Sequence, residues 1–140
     1  EAAAIAQATE FIESKPEGFR SEISQGGTNV SGGQKQRLSI ARAIAKAPKI
    51  FLFDDSFSAL DYKTDLTLRR ALREKTGDAT VIIVAQRIST ILHADQIIVL
   101  DEGRIAGMGT HSRLLRDCEA YREIARSQLS EEELEGGAAV

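Results

Sequence analysis

Hydrophobic and polar positions alternate along the chain in segments of changing period, and each change of period marks an element. Residues 2–13 (AAAIAQATEFIE) are Ala-rich and put Ile5, Ala8 and Ile12 on one face, which predicts a helix. Lys15-Pro16-Glu17-Gly18 breaks it, and residues 19–30 are polar and end in Gly26-Gly27-Thr28-Asn29, a loop. Ser31 with Gln34 three residues on forms a capping box, so a second helix starts there and runs to about Ala47, before Pro48. Its apolar residues lie on most sides, which predicts packing on more than one face. Ile50-Phe51-Leu52-Phe53 is a continuous apolar run ending at Asp54-Asp55, the pattern of a strand buried on both faces in a parallel sheet. Residues 62–75 read as a helix in which Leu66 mixes with the basic Arg69, Arg70 and Arg73. Residues 80–85 and 96–100 read as further buried strands, and 104–108 as a fourth that closes a hairpin through the turn at 101–104. Helical patterns follow at 111–117 and 119–128, and the tail SEEELEGGAAV is expected to be acidic, Gly/Ala-rich and frayed. Strands alternating with helices predict an α/β layered fold.

Composition narrows the class. The 140 residues, 42% hydrophobic and 28% charged with 11 Gly and 2 Pro, exclude a collagen-like or disordered chain and suit one domain. Net charge is −3 and the 18 Lys and Arg are scattered, so duplex-DNA binding through an overall basic surface is not indicated. The single cysteine, Cys118, excludes an intrachain disulfide and a multi-cysteine zinc cluster. The longest apolar run is about five residues, far short of the ~20 that cross a bilayer. The chain opens EAAAIAQATEF, with no initiator Met or signal peptide and already inside a helical pattern, so it is expected to be a piece of something longer.

Three segments carry candidate chemistry. In Val30-Ser31-Gly32-Gly33-Gln34-Lys35-Gln36-Arg37 two glycines stand at the mouth of a capped helix, where free N–H groups and the dipole favour an anion. Alone, the same residues are also an ordinary helix cap. In IFLFDD at 50–55 acids stand at the carboxyl end of a buried strand, where ligands of α/β sheets bind. The first, Asp54, suits Mg²⁺, and the second, Asp55, suits orientation or deprotonation of an attacking water. Helix-capping acids in a strand-end turn are the plainer reading. In VIIVAQR at 81–87 the polar Gln86 follows another strand, which by itself says little beyond a loop. Taken together, the order and the separations (23 positions from Ser31 to Asp54, 32 from Asp54 to Gln86) are far more informative than any one segment.

VSGGQKQRLSIARAIAKAPKIFLFDDSFSALD resembles the signature motif, its helix, the Walker B strand and the D-loop (Ser58-Ala59-Leu60-Asp61) of the nucleotide-binding domain of ABC transporters. VIIVAQRIST resembles that family's switch segment, and DQIIVLDEGRIAGMGTHSRLL the hairpin and helix that close the domain. FIESKPEGFRSEISQGGTNVSGGQ is similar to the exporter subgroup. The resemblance covers about residues 1–128. It implies a parallel-sheet, P-loop NTPase-like α/β fold of which this is the C-terminal portion. Residues 1–47 would be part of the helical subdomain with the signature, 48–128 the C-terminal half of the RecA-like core, and 129–140 the tail. It also implies ATP and Mg²⁺ as ligands. Ser31, Gly32, Gly33, Gln34 and Asp61 would be nucleotide-binding residues, Asp54 the metal residue, and Asp55 and Gln86 the catalytic ones.

Two family residues are altered, and one motif is missing. No G-x-x-x-x-G-K followed by Ser or Thr, the phosphate-cradling P-loop, occurs in the 140 residues. The catalytic position after the Walker B Asp is usually Glu and here is Asp55; one methylene less withdraws the carboxylate by roughly 1.5 Å, and a misplacement of about 1 Å costs ~10²-fold in rate. The switch His is replaced by Gln86, which hydrogen-bonds but carries no proton or charge. The signature is intact. In the family two domains stack head to tail, each signature facing the partner's P-loop. The resemblance therefore implies an asymmetric heterodimer, in which Ser31–Gln34 complete a competent site on a second ABC subunit while Asp54, Asp55 and Gln86 belong to a degenerate site of this subunit. A transmembrane domain would be the other partner, with the chain at the cytoplasmic face of the cell membrane and no nucleic acid bound.

Other residues have plainer expectations. Lys35 and Arg37 lie near the phosphates or on a solvated helix face, and Arg42 and Lys46 are surface or interface charges. Asp61 is a D-loop interface acid or the N-cap of the helix at 62–75. His93 and His111 lack metal-ligand spacing and are structural, Cys118 is an ordinary helical residue, and Phe51 and Phe53 are core. The preferred function is an exporter ATPase. The alternatives are a non-transport ABC protein acting as a clamp in DNA repair, chromosome structure or translation, and an inactive piece with a structural role. Because the P-loop is absent, the 140-residue chain alone is expected to bind no ATP with useful affinity; calorimetry that detects one-to-one Mg-ATP binding refutes this.

Overall fold

The structure is a computed structural model that describes residues 1–130 and Leu134; the expected tail at 129–140 falls largely outside this range. The chain forms two compact units, Glu1–Val84 and the residues from Ala85 onward.

The first unit begins with two short helices, α1 (Ala2–Ile5) and α2 (Thr9–Glu13), where one helix over 2–13 is expected. The break is a left-handed residue: Gln7 has φ 54°. The N–H of Gln7 donates to Ala4 O and that of Ala8 to Ala3 O, the paired bonds that end a helix on an αL residue. Gln bears this conformation because its carbonyl is held by the Arg37 guanidinium at 2.6 Å, a contact 30 residues away that no local periodicity reveals. The face assignment survives the break, since Ile5, Ala8 and Ile12 are all buried. After the break at 15–18 come two single 3₁₀ turns (Gly18–Arg20 and Gln25–Gly27) inside the expected loop.

Helix α3 (Gly32–Ala45) starts on the expected capping box and ends where Ala47 turns to φ 45° before Pro48. It is less enclosed than its composition predicts: Ile40 alone is buried, with Leu38, Ala41, Ala43 and Ile44 packed at the edge of the core. Strand β1 (Ile50–Asp54) pairs in parallel with β2 (Thr80–Val84), Ile50 opposite Thr80 and Asp54 opposite Val84. Between them α4 spans Tyr62–Lys75, as expected. Its basic Arg69 does not face solvent freely: a bidentate pair ties it to the buried Asp65 at 2.9 Å through both carboxylate oxygens.

Strands expected to be buried on both faces are buried on one. In β1, Phe51 and Phe53 face the core while Ile50 and Leu52 are 63% and 68% exposed. In β2 only Ile83 packs against that core. The period-2 alternation sends successive side chains to opposite faces, and one face alone carries a helix layer among the described residues. On that face Phe51 stacks on Phe53 and Phe57 packs tilted against Phe53, with Ile40, Leu60, Leu68 and Leu72 filling the space between strand and helices.

The second unit contains α5 (Ile88–Ile91), β3 (Ile97–Asp101), β4 (Arg104–Gly109), α6 (His111–Asp117) and α7 (Glu119–Gln128). The expected hairpin is present: β3 and β4 are antiparallel, closed by Glu102 and Gly103, both at positive φ as a two-residue type I′ turn requires. Ala106 is the extra residue of a bulge opposite Val99 and Leu100. Ile97 and Val99 face Leu114, Cys118 and Tyr121, while Ile98 and Leu100 stay open, so β3 too is buried on one face. Cys118 is not helical; it is the extended, buried joint between α6 and α7. No group of His, Cys, Asp or Glu arranged to hold a metal ion occurs among the described residues. His111 is buried and its Nδ1 lies 2.8 Å from the Tyr121 hydroxyl, with which it is hydrogen bonded.

Leu68 is fully buried at the centre of the first core, so Leu68→Ala lowers the unfolding free energy of that unit by about 2–5 kcal/mol, read by denaturant titration. In the second unit burial, and then the nearby charge of His93, hold the His111 pKa below its ordinary 6.5. The unfolded chain then takes up the proton more readily than the folded one, so stability declines as pH falls through 6.5 and levels off below the lowered folded value. Thermal unfolding at about pH 7.5 and about pH 5.5 checks this: the drop in midpoint is smaller in His111→Gln.

Candidate functional site

The mouth of α3 is built by its own first residues. Ser31 is extended (φ −69°, ψ 162°); its Oγ accepts from the Gln34 N–H at 3.2 Å, and Gln34 Oε1 accepts from the Ser31 N–H at 3.0 Å. The first intrahelical bond of the mouth is Lys35 N–H to Ser31 O. This leaves the N–H groups of Gly32 and Gly33 without a protein acceptor among the described residues, aimed along the helix axis at its positive end. Ser31 and Gly32 are exposed. The site residues of this segment are therefore together and open to an anion.

Another backbone comes close at Gly33 and favours glycine there, whereas a side chain at Gly32 would meet only an ordinary van der Waals contact. A Cβ on Gly33 would stand 3.0 Å from the Ala59 carbonyl oxygen, and one on Gly32 3.7 Å from the Ala59 Cβ. The mouth of α3 thus lies against the turn 55–61 that follows β1. Asp54 ends β1, and Asp55 continues it in a left-handed conformation (φ 46°), one that Asp tolerates better than most residues. The Asp55 N–H donates to Val84 O at 3.0 Å, which extends the strand pairing by one bond. Both residues are exposed, and neither carboxylate has a protein partner among the described residues. Asp54 and Asp55 fit a hard cation that takes one or two carboxylate oxygens and completes its shell with water and phosphate.

Asp61 is the N-cap of α4: its carboxylate accepts from the Thr64 hydroxyl at 2.7 Å and the Thr64 N–H at 3.0 Å. Those bonds, the hydroxyl's first, hold its pKa below the ordinary carboxylate value. Gln86 belongs to the second unit. Its side chain is exposed, and its backbone is fastened by Gln128, whose Nε2 donates to Gln86 O at 2.9 Å while its Oε1 accepts from the Ile88 N–H at 2.9 Å.

Of the two cations expected near phosphate or on a solvated helix face, Lys35 is exposed and Arg37 is partly covered. Lys35 Nζ donates to Gly26 O at 2.7 Å, folding the preceding loop onto α3. The Arg37 guanidinium lies 4.9 Å from the Phe11 ring centre and holds Gln7 O. Sequence reasoning also passed over Gln36, whose side chain reaches the turn 55–61 (Nε2 to Asp55 O and Ser58 Oγ, Oε1 from the Ala59 N–H). A signal was available: Gln36 lies one turn from both Gly32 and the buried Ile40, on the helix line that faces the protein.

With this geometry in hand, similarity to known proteins can be weighed. The sequence profile of the family described as ABC transporter matches residues 3–58. An uncharacterized ABC transporter ATP-binding protein of Mycobacterium tuberculosis is 52% identical over 128 residues, 91% of this chain and 22% of that protein. The ATP-dependent lipid A-core flippase of Haemophilus influenzae is 43% identical over 129 residues, 92% of this chain and 22% of that protein. A solved structure of a bacterial Atm1-family ABC exporter with ATP bound superposes with a TM-score of 0.88 at 42% identity, covering 93% of this chain and 23% of that one. The chain thus spans about a fifth of the length of the curated relatives it matches. The matched profile includes the α3 mouth, β1 and the first residues of the turn after it, and the chain belongs to the ABC transporter family, as part of an exporter-type nucleotide-binding domain.

Proposed function

We propose that the chain is the signature- and Walker B-bearing part of one subunit of an ATP-driven exporter, in which ATP binding closes a pair of domains and hydrolysis reopens it. Membership of an ABC ATPase family supports ATP binding and hydrolysis by the assembled protein. The names of the relatives support membrane export, and with it a transmembrane-domain partner and a place at the cytoplasmic face of a membrane. The relatives' names do not agree on a cargo for this chain to share, and no substrate is assigned.

Residues 1–47 act as part of a helical subdomain and 48–128 as part of the ATPase core. Ser31, Gly32, Gly33 and Gln34 complete the site of a partner subunit: two unpaired N–H groups and the capped serine meet the terminal phosphate of ATP held there. Asp54 takes Mg²⁺ in this subunit's own site, where the metal neutralises phosphate charge. Asp55 and Gln86 orient the attacking water poorly. The Asp55 carboxylate is one methylene short, and the Gln86 amide takes no proton. That site holds nucleotide and turns it over slowly, so the partner is a different ABC subunit with a competent catalytic acid. Asp61, besides capping α4, meets the partner subunit across the domain pair. Nucleic acid is not a partner in this reading.

The observation that carries the proposal is the open mouth of α3, where two N–H groups have no protein acceptor among the described residues, laid beside the turn that follows β1. In the assembled heterodimer Ser31→Arg fills that mouth with a bulky cation and lowers ATP turnover by ~10²-fold or more, the cost of misplacing a group at the phosphates. Asp55→Asn costs at least ten times less. Steady-state ATPase measurements that return the opposite ranking, or robust turnover by this subunit without a different partner, overturn the asymmetric reading.

A further inference from the structure

Gln36 uses its whole carboxamide on one short turn. Its Nε2 donates to the Asp55 carbonyl at 3.1 Å and to Ser58 Oγ at 3.0 Å, and its Oε1 accepts from the Ala59 N–H at 2.9 Å. The orientation of the amide follows from its partners: the Asp55 carbonyl accepts only and the Ala59 N–H donates only, so the flipped amide would face both wrongly.

The turn so held is a strained one. Asp55 sits at φ 46°, and its peptide is fixed on both sides, by its own N–H on Val84 O and by its carbonyl under Gln36. Without the Gln36 donor, that carbonyl keeps only the bonds from within its own turn, the Ser58 hydroxyl at 3.0 Å and the Ser58 N–H at 3.5 Å. At the far end of the turn, Ala59 is pinned between Gln36 and Gly33, whose missing Cβ lets the Ala59 carbonyl come close. One side chain of α3 therefore bonds to both the acid-bearing start of the turn and the segment leading to Asp61.

We propose that Gln36 is a positioning residue for both ATP sites in which this chain takes part, setting the pose of the turn 55–61 and that of the helix mouth 31–33 together. The inference rests on the proposed function, in which the mouth serves the partner's site and Asp55 this subunit's own. Gln36 touches no nucleotide. It keeps the two site segments in one register, so that a shift of one is felt by the other.

The test uses the complete protein assembled with its partner, carrying Gln36→Leu, Gln36→Glu or, as control, Ser31→Arg. Leu keeps the bulk and removes all three bonds. It is expected to lower kcat for ATP at least tenfold, within the ~10²-fold that a misplacement of about 1 Å brings, while KM for ATP stays within about twofold and the unfolding temperature is unchanged. Glu keeps the acceptor for Ala59 N–H and loses the donors; it is expected to retain at least threefold more kcat than Leu and less than the parent. A kcat for Gln36→Leu within tenfold of the parent overturns the proposal. So does a loss accompanied by a raised KM or a lower unfolding temperature, which marks a merely structural role. Should the Leu variant fail to assemble, the Glu variant decides: reduced kcat at parental KM supports positioning, and parental kcat overturns it. Silence of Ser31→Arg sinks the underlying function instead; loss in Ser31→Arg with a silent Gln36→Leu sinks this inference alone.

Discussion

A close approach of two backbones governs the first unit. At Gly33 only a hydrogen separates α3 from the Ala59 carbonyl, and a methyl there would stand 3.0 Å from that oxygen. A side chain there would push that oxygen back by a few tenths of an ångström, so the contact favours glycine and leaves the helix little freedom to roll or slide. With α3 placed by this contact, its faces divide the work. Ile40 goes to the core, Arg37 toward Phe11 and the end of α1, Lys35 toward the loop that precedes the helix, and Gln36 toward the turn after β1. Displacing the mouth disturbs all four at once. That is a physical reason for Ser-Gly-Gly-Gln to behave as a unit, beyond any bond it makes to a ligand.

The second unit solves a similar problem by a different residue. Its loop at 86–88 follows β2 in the chain, and Gln128, from the last turn of α7, supplies one donor and one acceptor to the backbone there. Gln36 and Gln128 are both glutamines whose amides bridge backbone groups that no secondary structure satisfies. The amide suits this because it carries donors and acceptors in one plane and no charge whose burial would cost solvation.

What was legible in the sequence followed short-range rules. The capping box at Ser31 and Gln34, the helix at 62–75, the hairpin turn, and the helices at 111–117 and 119–128 depend on residues within a turn or two of each other, and all are present. The acids stand at the end of β1 and the glycine pair at the mouth of α3, as local pattern alone places them. The misses depend on distant partners. Gln7 ends α1 because Arg37 holds its carbonyl, and nothing near Gln7 announces this. Strand burial was overestimated because a run such as Ile50–Phe53 reports that its residues are apolar, not how many layers cover them. The contacts of Lys35, Arg37 and Gln36 were not legible for a common reason: a long polar side chain on a helix is ambiguous until the neighbouring backbone is placed.

The open sheet faces bear on how such a chain behaves outside its larger setting. Ile50, Leu52, Ile82 and Val84 form one bare apolar surface, and Ile98, Leu100, Ile105 and Met108 belong to the open strands of the other unit. Parallel pairs like β1–β2 are stable in proteins when sandwiched, and wet aliphatic surface of this kind is adhesive. Their unpaired edges add a row of hydrogen-bonding groups ready to recruit further strands. The same residues that would be an interior in a whole domain make the isolated polypeptide prone to clumping, so its solubility is set by β1–β4 and not by the polar helices.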